Sequence, residues 1–199
     1  MTPSKLLLAS KSPQRQKLLN QIGVDFLIFA PDIDESRHEN EVPESMVVRL
    51  AKTKAACCLN KMLDREAIVL ASDTVVVVED KIFGKPVDQN DALNMLSLLS
   101  GKTHRVLTAV SVTSCSRSKT ICSETFVNFR VINVEEAQAY WETGEPRDKA
   151  GAYAIQGFGA AFVESISGSY SGVMGLPLFE TVKLLGDFGI RCWKHAQTS

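Results

Sequence analysis

The 199-residue sequence has no C-x-x-C pair, no G-x-S-x-G turn, no long apolar run and almost no net charge. Each absence removes a class of function. Lys and Arg number 22 against 23 Asp and Glu, a net charge of -1, whereas proteins that coat nucleic acid or an anionic membrane carry a basic excess. No stripe of aromatics interleaved with cations marks a nucleic-acid-binding module. The three histidines, His38, His104 and His195, are scattered without ligand spacing, so no zinc site is indicated. Serines are plentiful, but without a nucleophile elbow an α/β-hydrolase triad is set aside. The five cysteines, Cys57, Cys58, Cys115, Cys122 and Cys192, are odd in number, and adjacent Cys57 and Cys58 on one predicted helix are badly placed to bond to each other. Scattered thiols of this kind suit small buried hydrophobes in a reducing cytoplasm. The apolar run in MTPSKLLLAS is too short for a signal or a membrane span, so the chain reads as cytoplasmic and soluble, with neither membrane nor nucleic acid as partner.

What is present is an ordinary globular composition, 45% hydrophobic and 23% charged. It is enough chain for a sizeable core in one domain or in two closely packed lobes. A short buried-type strand is expected at 5–10, a second strand at 25–31, longer β segments at 67–80, 103–114 and 121–132, and a returning segment at 81–86 after a turn near Asp80. Helical spacing covers 13–22, 43 to about 63, 88–100, 134–143 and 177–185. Residues 32–45 read as an acidic loop, and 150–168 as glycine-punctuated and then β-like. The tail after Trp193 is polar and expected to fray. Strands and helices mixed along the whole length place the chain in the α/β class.

Five stretches carry residues suited to chemistry. In LASKSPQRQKLL (8–19), Ser12 is a helix N-cap and Pro13 fits the first helical position. The free N–H groups of that turn, with Ser10, Lys11 and Arg15, outline an anion site, although a capped helix with solvated cations reads the same way. In ASDTVVVV (71–78), Asp73 shares a strand face with Val69, Ala71, Val75 and Val77. A carboxylate there is costly unless it is paired, bound to a metal or open to a cleft, so it is a candidate general base or metal ligand. Lys54 projects onto the apolar arc of its helix between Leu50 and Cys58, while Arg49 and Lys52 fall on the wet side; it either snorkels or meets an anion. Lys85, in FGKP (83–86), is expected opposite Val75 or Val76, within about two residues of Asp73. In DKAGAYAIQGFGA (148–160), Gly151, Gly157 and Gly159 allow close backbone approach to a ligand. The spacing is wrong for a dinucleotide fingerprint. The carboxamide of Gln156 offers the donor and acceptor that match the O4 and N3–H edge of uracil or thymine. Glu35, in the acidic loop, is a candidate metal ligand.

These stretches, with RLAKTKA (49–55), LSGKTHRVLTAV (99–110) and YSGVMGLPL (170–178), occur in the order in which they resemble the Maf family of nucleoside triphosphate pyrophosphatases, from about Leu7 to Leu185. The resemblance implies an α/β fold with a mixed twisted sheet, flanking helices and two lobes around a central nucleotide-binding cleft, treated as one domain over residues 1–199. It implies hydrolysis of a nucleoside triphosphate between the α- and β-phosphates, a divalent cation (Mg²⁺ or Mn²⁺), and a homodimer. Asp73 takes the place of the family's proposed base and metal contact, and Glu35 that of its acidic loop residue. Ser10, Arg15, Lys54 and Lys85 take the places of its phosphate-binding residues. At three positions that line the base and sugar end, the dTTP/UTP-type branch has Arg, Thr and Gln, and the 7-methyl-GTP-type branch has Trp, Gln and Glu. Here they are Gln14, Thr74 and Gln156, two of which match the pyrimidine branch. The expected activity is dTTP and UTP hydrolysis. The alternatives are a 7-methyl-GTP or other modified-nucleotide pyrophosphatase, or a non-catalytic nucleotide-binding regulator of cell division.

Overall fold

The three leucines of β1 (Leu6–Leu8) are all buried, as a strand flanked by neighbours on both sides requires. The strand pairs in parallel with β2 (Leu27–Ile28) and with the start of β3 (Ile68–Val78), Leu7 facing Leu27 on one side and Val69 on the other. The computed structural model describes residues 5–62, 66–79 and 81–193. The rest of the strands are β4 (Lys81–Phe83), β5 (Thr103–Thr113), β6 (Ser118–Phe129) and β7 (Val163–Ser167). Together they form a seven-stranded mixed sheet in the order β2-β1-β3-β5-β6-β7, with β4 antiparallel to β3 off that path. The helices are α1 (Pro13–Gln21), α2 (Pro43–Asn60), α3 (Gln89–Leu99), α4 (Val134–Glu142), α5 (Tyr170–Val173) and α6 (Leu178–Asp187). The α/β class and the mixed, helix-flanked sheet are as expected.

One segment differs from the sequence reading. Of residues 25–31 only Leu27 and Ile28 pair; both are exposed on an edge strand, and Pro31 has no N–H with which to extend it. The stretch 150–168 follows the reading: glycine-bearing turns, with short 3-10 segments over 150–152 and 158–162, precede β7, which begins at Val163. Helix α2 ends at Asn60, with Lys61 as its C-cap, a little before the expected end at about Leu63. Three expectations, the turn at Asp80, the frayed tail after Trp193 and His195, lie outside the described residues.

The chain divides into two compact units: residues up to Asp73 with Thr108–Ser123 and those from Gly175 onward, and Thr74–Leu107 with Glu124–Met174. Each has its own core. In the first, Leu7, Val69 and Ala71 of the strands pack on Ala55 and Cys58 of α2. In the second, Val76, Phe83, Leu96, Leu99, Phe129 and Tyr153 are buried together, with the Phe129 and Tyr153 rings edge to face at 4.7 Å.

His104 lies in this second core with its Nε2 2.9 Å from the Tyr153 hydroxyl oxygen. Its Nδ1 is buried with no hydrogen-bond partner among the described residues. Burial pushes its pKa from 6.5 down to about 4. The unfolded chain therefore takes up this proton below its ordinary value while the folded chain does not, and stability is lost as pH falls from 6.5 to about 4. The loss amounts to about 3 kcal/mol at the acid end. His104→Gln, which can still hydrogen-bond Tyr153 but cannot titrate, should flatten the urea midpoint across that window. An unchanged slope would assign the acid sensitivity elsewhere.

Candidate active site

The turn between β1 and α1 is built by its own side chains. Ser12 caps α1, accepting the Arg15 N–H at 3.5 Å, and Pro13 occupies the first turn. The Ser10 hydroxyl accepts from the Ser12 N–H and from Arg15 Nη1, each at 3.2 Å. Arg15 Nε donates to the Gly175 carbonyl at 2.9 Å, and the buried Ser72 hydroxyl donates to the same oxygen at 2.8 Å. The guanidinium is thus seated at both ends. Burial lowers its pKa, and the fields of Asp73 and Glu35 oppose that shift. Lys11 is exposed, as a solvated cation would be.

Lys54 shares the buried arc of α2 with Val47, Leu50, Ala51, Ala55 and Cys58. It does not snorkel. Its Nζ lies 2.7 Å from Asp73 Oδ1 and 2.9 Å from Glu35 Oε1. The Lys54 and Asp73 side chains are 10% and 8% exposed, whereas that of Glu35 is 60% exposed. Desolvation pushes the Asp73 carboxyl above its ordinary value, opposed by Lys54 and Arg15 and reinforced by Glu35. The acidic loop is more than a solvated tract. Arg49 grips Glu41 with two nitrogens, at 2.6 and 2.7 Å, and donates to the Ser36 carbonyl at 2.9 Å. That fork, with the hydrogen bonds Glu41 accepts, holds the Glu41 carboxyl down at about 2. It also ties the residue next to Glu35 to α2.

The first unit therefore brings together Ser10, Arg15, Glu35, Lys54 and Asp73. Gln14 is half-buried one residue before Arg15 on α1. Lys85, Thr74 and Gln156 belong to the second unit. Pairing between β3 and β4 stops at Val76 with Phe83, so Lys85 lies beyond the ladder, exposed. Continued, that register sets it across from Thr74 rather than Val75 or Val76, because the hairpin pairs Val78 directly with Lys81. Thr74 and Gln156 are half-buried. The three glycines approach protein, not open space: a Cβ would fall 2.9 Å from Val76 Cγ2 at Gly151, 1.9 Å from Glu145 Oε2 at Gly157 and 2.7 Å from the Tyr140 hydroxyl at Gly159. Ser72 and the Gly175 carbonyl were not read from the sequence. Each lies in a stretch singled out for other residues, Ser72 in ASDTVVVV and Gly175 in YSGVMGLPL.

A family model described as Maf-like protein matches residues 5–188. The chain belongs to the Maf family. Relatives named dTTP/UTP pyrophosphatase include one from Methylobacillus flagellatus, 49% identical over 187 residues and covering 94% of each chain. One from Pseudoalteromonas atlantica is 49% identical over 182 residues, 90% of this chain and 95% of its own. One from Hahella chejuensis is 47% identical over 190 residues, 95% of this chain and 94% of its own.

In this Maf chain the donors fit a hard divalent cation. No cluster of three or more His, Cys, Asp or Glu occurs among the described residues. Asp73 and Glu35 nevertheless meet at one ammonium, and Mg²⁺ is commonly held by one or two carboxylates together with substrate phosphates. A buried carboxylate with a raised pKa beside a lysine and an arginine is suited to taking a proton next to a polyanion. No helix among the described residues is long and apolar enough to cross a membrane.

Proposed function

We propose that this Maf protein hydrolyses dTTP and UTP to the nucleoside monophosphate and pyrophosphate. The observation that carries the proposal is the buried Asp73–Lys54 pair, joined by Glu35 and set in the same unit as the seated Arg15. The names of the relatives point to the same substrates. Asp73 accepts the proton of the water that attacks the α-phosphorus; the bond to the bridging oxygen breaks and pyrophosphate leaves. Arg15, Ser10 and Lys54 bind phosphate oxygens and offset their charge, and Lys85 is assigned to the same task on the resemblance. Asp73 and Glu35 would hold a divalent cation, which supplies further charge compensation at the phosphates when bound. Gln156 reads the pyrimidine edge, and Thr74 and Gln14 line the base and sugar end. A homodimer working in the cytoplasm is part of the same reading.

Pyrophosphate release from dTTP, UTP, CTP, GTP and 7-methyl-GTP, with Mg²⁺ or Mn²⁺, tests this. Turnover should be fastest on dTTP and UTP. Gln156→Glu should slow those two selectively, because it replaces a donor by an acceptor. Preference for 7-methyl-GTP would transfer the specificity to Gln14. No release from a folded protein that still binds nucleotide would leave a binding regulator instead of an enzyme.

A further inference from the structure

Glu145 opens the 3-10 turn after α4 and folds back over the residues that follow Gln156. Its Oε2 accepts the Phe158 N–H at 3.0 Å, and its Oε1 accepts the Gly159 N–H at 3.0 Å and the Tyr140 hydroxyl at 2.7 Å. The Tyr140 hydroxyl accepts the Ala154 N–H at 3.0 Å. Gln156 is thus bracketed: the backbone two residues before it and two and three residues after it hangs on one tyrosine and one carboxylate. The turn itself is closed by the Gly157 N–H on the Ala154 carbonyl at 3.1 Å.

The bracket is close-fitting. Gly157 presents its Cα to the carboxylate where a Cβ would sit 1.9 Å from Oε2. Tyr140 is buried, with its ring edge to face on Phe162 at 5.0 Å. Phe158 is 70% exposed, so the segment just past Gln156 gains no apolar anchor from its largest side chain. Backbone N–H groups held by a carboxylate are strong and directional, which fixes a loop more tightly than packing of that exposed ring would.

We propose that Glu145 and Tyr140 are positioning residues for base selection: they hold the backbone on both sides of Gln156 so that its carboxamide is presented in one orientation before the nucleotide arrives. The proposal rests on the reading of Gln156 as the group that meets the base. A rigid amide rejects a base with the wrong donor pattern, whereas a loose one rotates to accept it.

The test is steady-state kinetics on dTTP and CTP for wild type, Glu145→Ala, Tyr140→Phe, Gly157→Ala, Glu145→Ala/Gly157→Ala and Gln156→Ala, with amide hydrogen exchange over 154–159. Glu145→Ala should raise KM for dTTP about tenfold, change kcat less than about threefold, and lower the dTTP-over-CTP preference about tenfold. Exchange at Phe158 and Gly159 should quicken. Gly157→Ala drives the carboxylate out and should reproduce these losses, and the double variant should be no worse than either single one. Should Glu145→Ala fail to fold, Glu145→Gln and Tyr140→Phe give the same readout with smaller losses. A lowered melting temperature with the dTTP-over-CTP preference intact would make the bracket structural only and overturn the proposal. If Gln156→Ala also leaves the preference intact, the base reading itself falls; if Gln156→Ala abolishes it while Glu145→Ala does not, that reading stands and only the bracket's role is lost.

Discussion

Asp73→Asn is expected to lower kcat on dTTP about 10²-fold or more while the protein stays folded. The amide has the shape of the carboxylate and keeps an oxygen for Lys54, whose ammonium also retains Glu35 at 2.9 Å. What it loses is the ability to take a proton from water. In the wild type, desolvation raises the Asp73 pKa above 3.8, which brings the base closer to the pH at which it works. The acid limb of kcat/KM should therefore lie above the ordinary carboxylate range, with activity falling as pH drops through it, and the residual rate of the variant should lack that limb. The melting temperature should shift by only a few degrees, because the variant also removes a buried charge. A fall of less than tenfold in a folded protein would take Asp73 out of the proton-accepting role.

Lys54→Met should have the second large effect, on stability as well as turnover. Removing the ammonium leaves Asp73, 6% exposed, without its hydrogen-bonded partner. Breaking a buried pair from one side costs on the order of 3 kcal/mol. The cost depends on pH in a fixed direction. With Lys54 gone, the Asp73 pKa rises further above its unfolded value, so the folded chain binds the extra proton and stability falls as pH rises. The deficit should be small near pH 4 and fully developed near neutrality. Urea unfolding of wild type and variant at those two values reads it directly, and Lys54→Met/Asp73→Asn should recover much of it. An equal deficit at both values would mean that Asp73 is not the group left stranded. Turnover should fall about 10²-fold, the usual scale for losing one charge-stabilising donor.

Much of the first unit was legible because its signals are local. Ser12 and Pro13 announce a helix start within two residues. An aspartate among valines and a lysine on an apolar arc each break a periodic pattern, and the two breaks turn out to be one ion pair. The rest depends on groups with no sequence signature. Main-chain carbonyls and N–H groups look alike at every position, so the seat of Arg15 on Gly175 and the grip of Glu145 on Phe158 and Gly159 leave no trace in a pattern of side chains. The glycines of 150–160 were read as room for a ligand; they are room for Val76, Glu145 and Tyr140. The tie on the acidic loop went unread because Arg49, the residue that holds it, sits eight positions beyond Glu41 on a helix. Lys85 was placed by counting back from a turn taken near Asp80, and the register of Val78 on Lys81 moves it on to Thr74.

The bond from Arg15 to the Gly175 carbonyl joins residues 160 positions apart. Synthesis runs from the N-terminal side, so Arg15 is made 160 residues before the carbonyl that seats it. A chain that stops short of residue 175 lacks the one oxygen on which the Arg15 guanidinium and the Ser72 hydroxyl meet, so two segments far apart in sequence lose their common tie together.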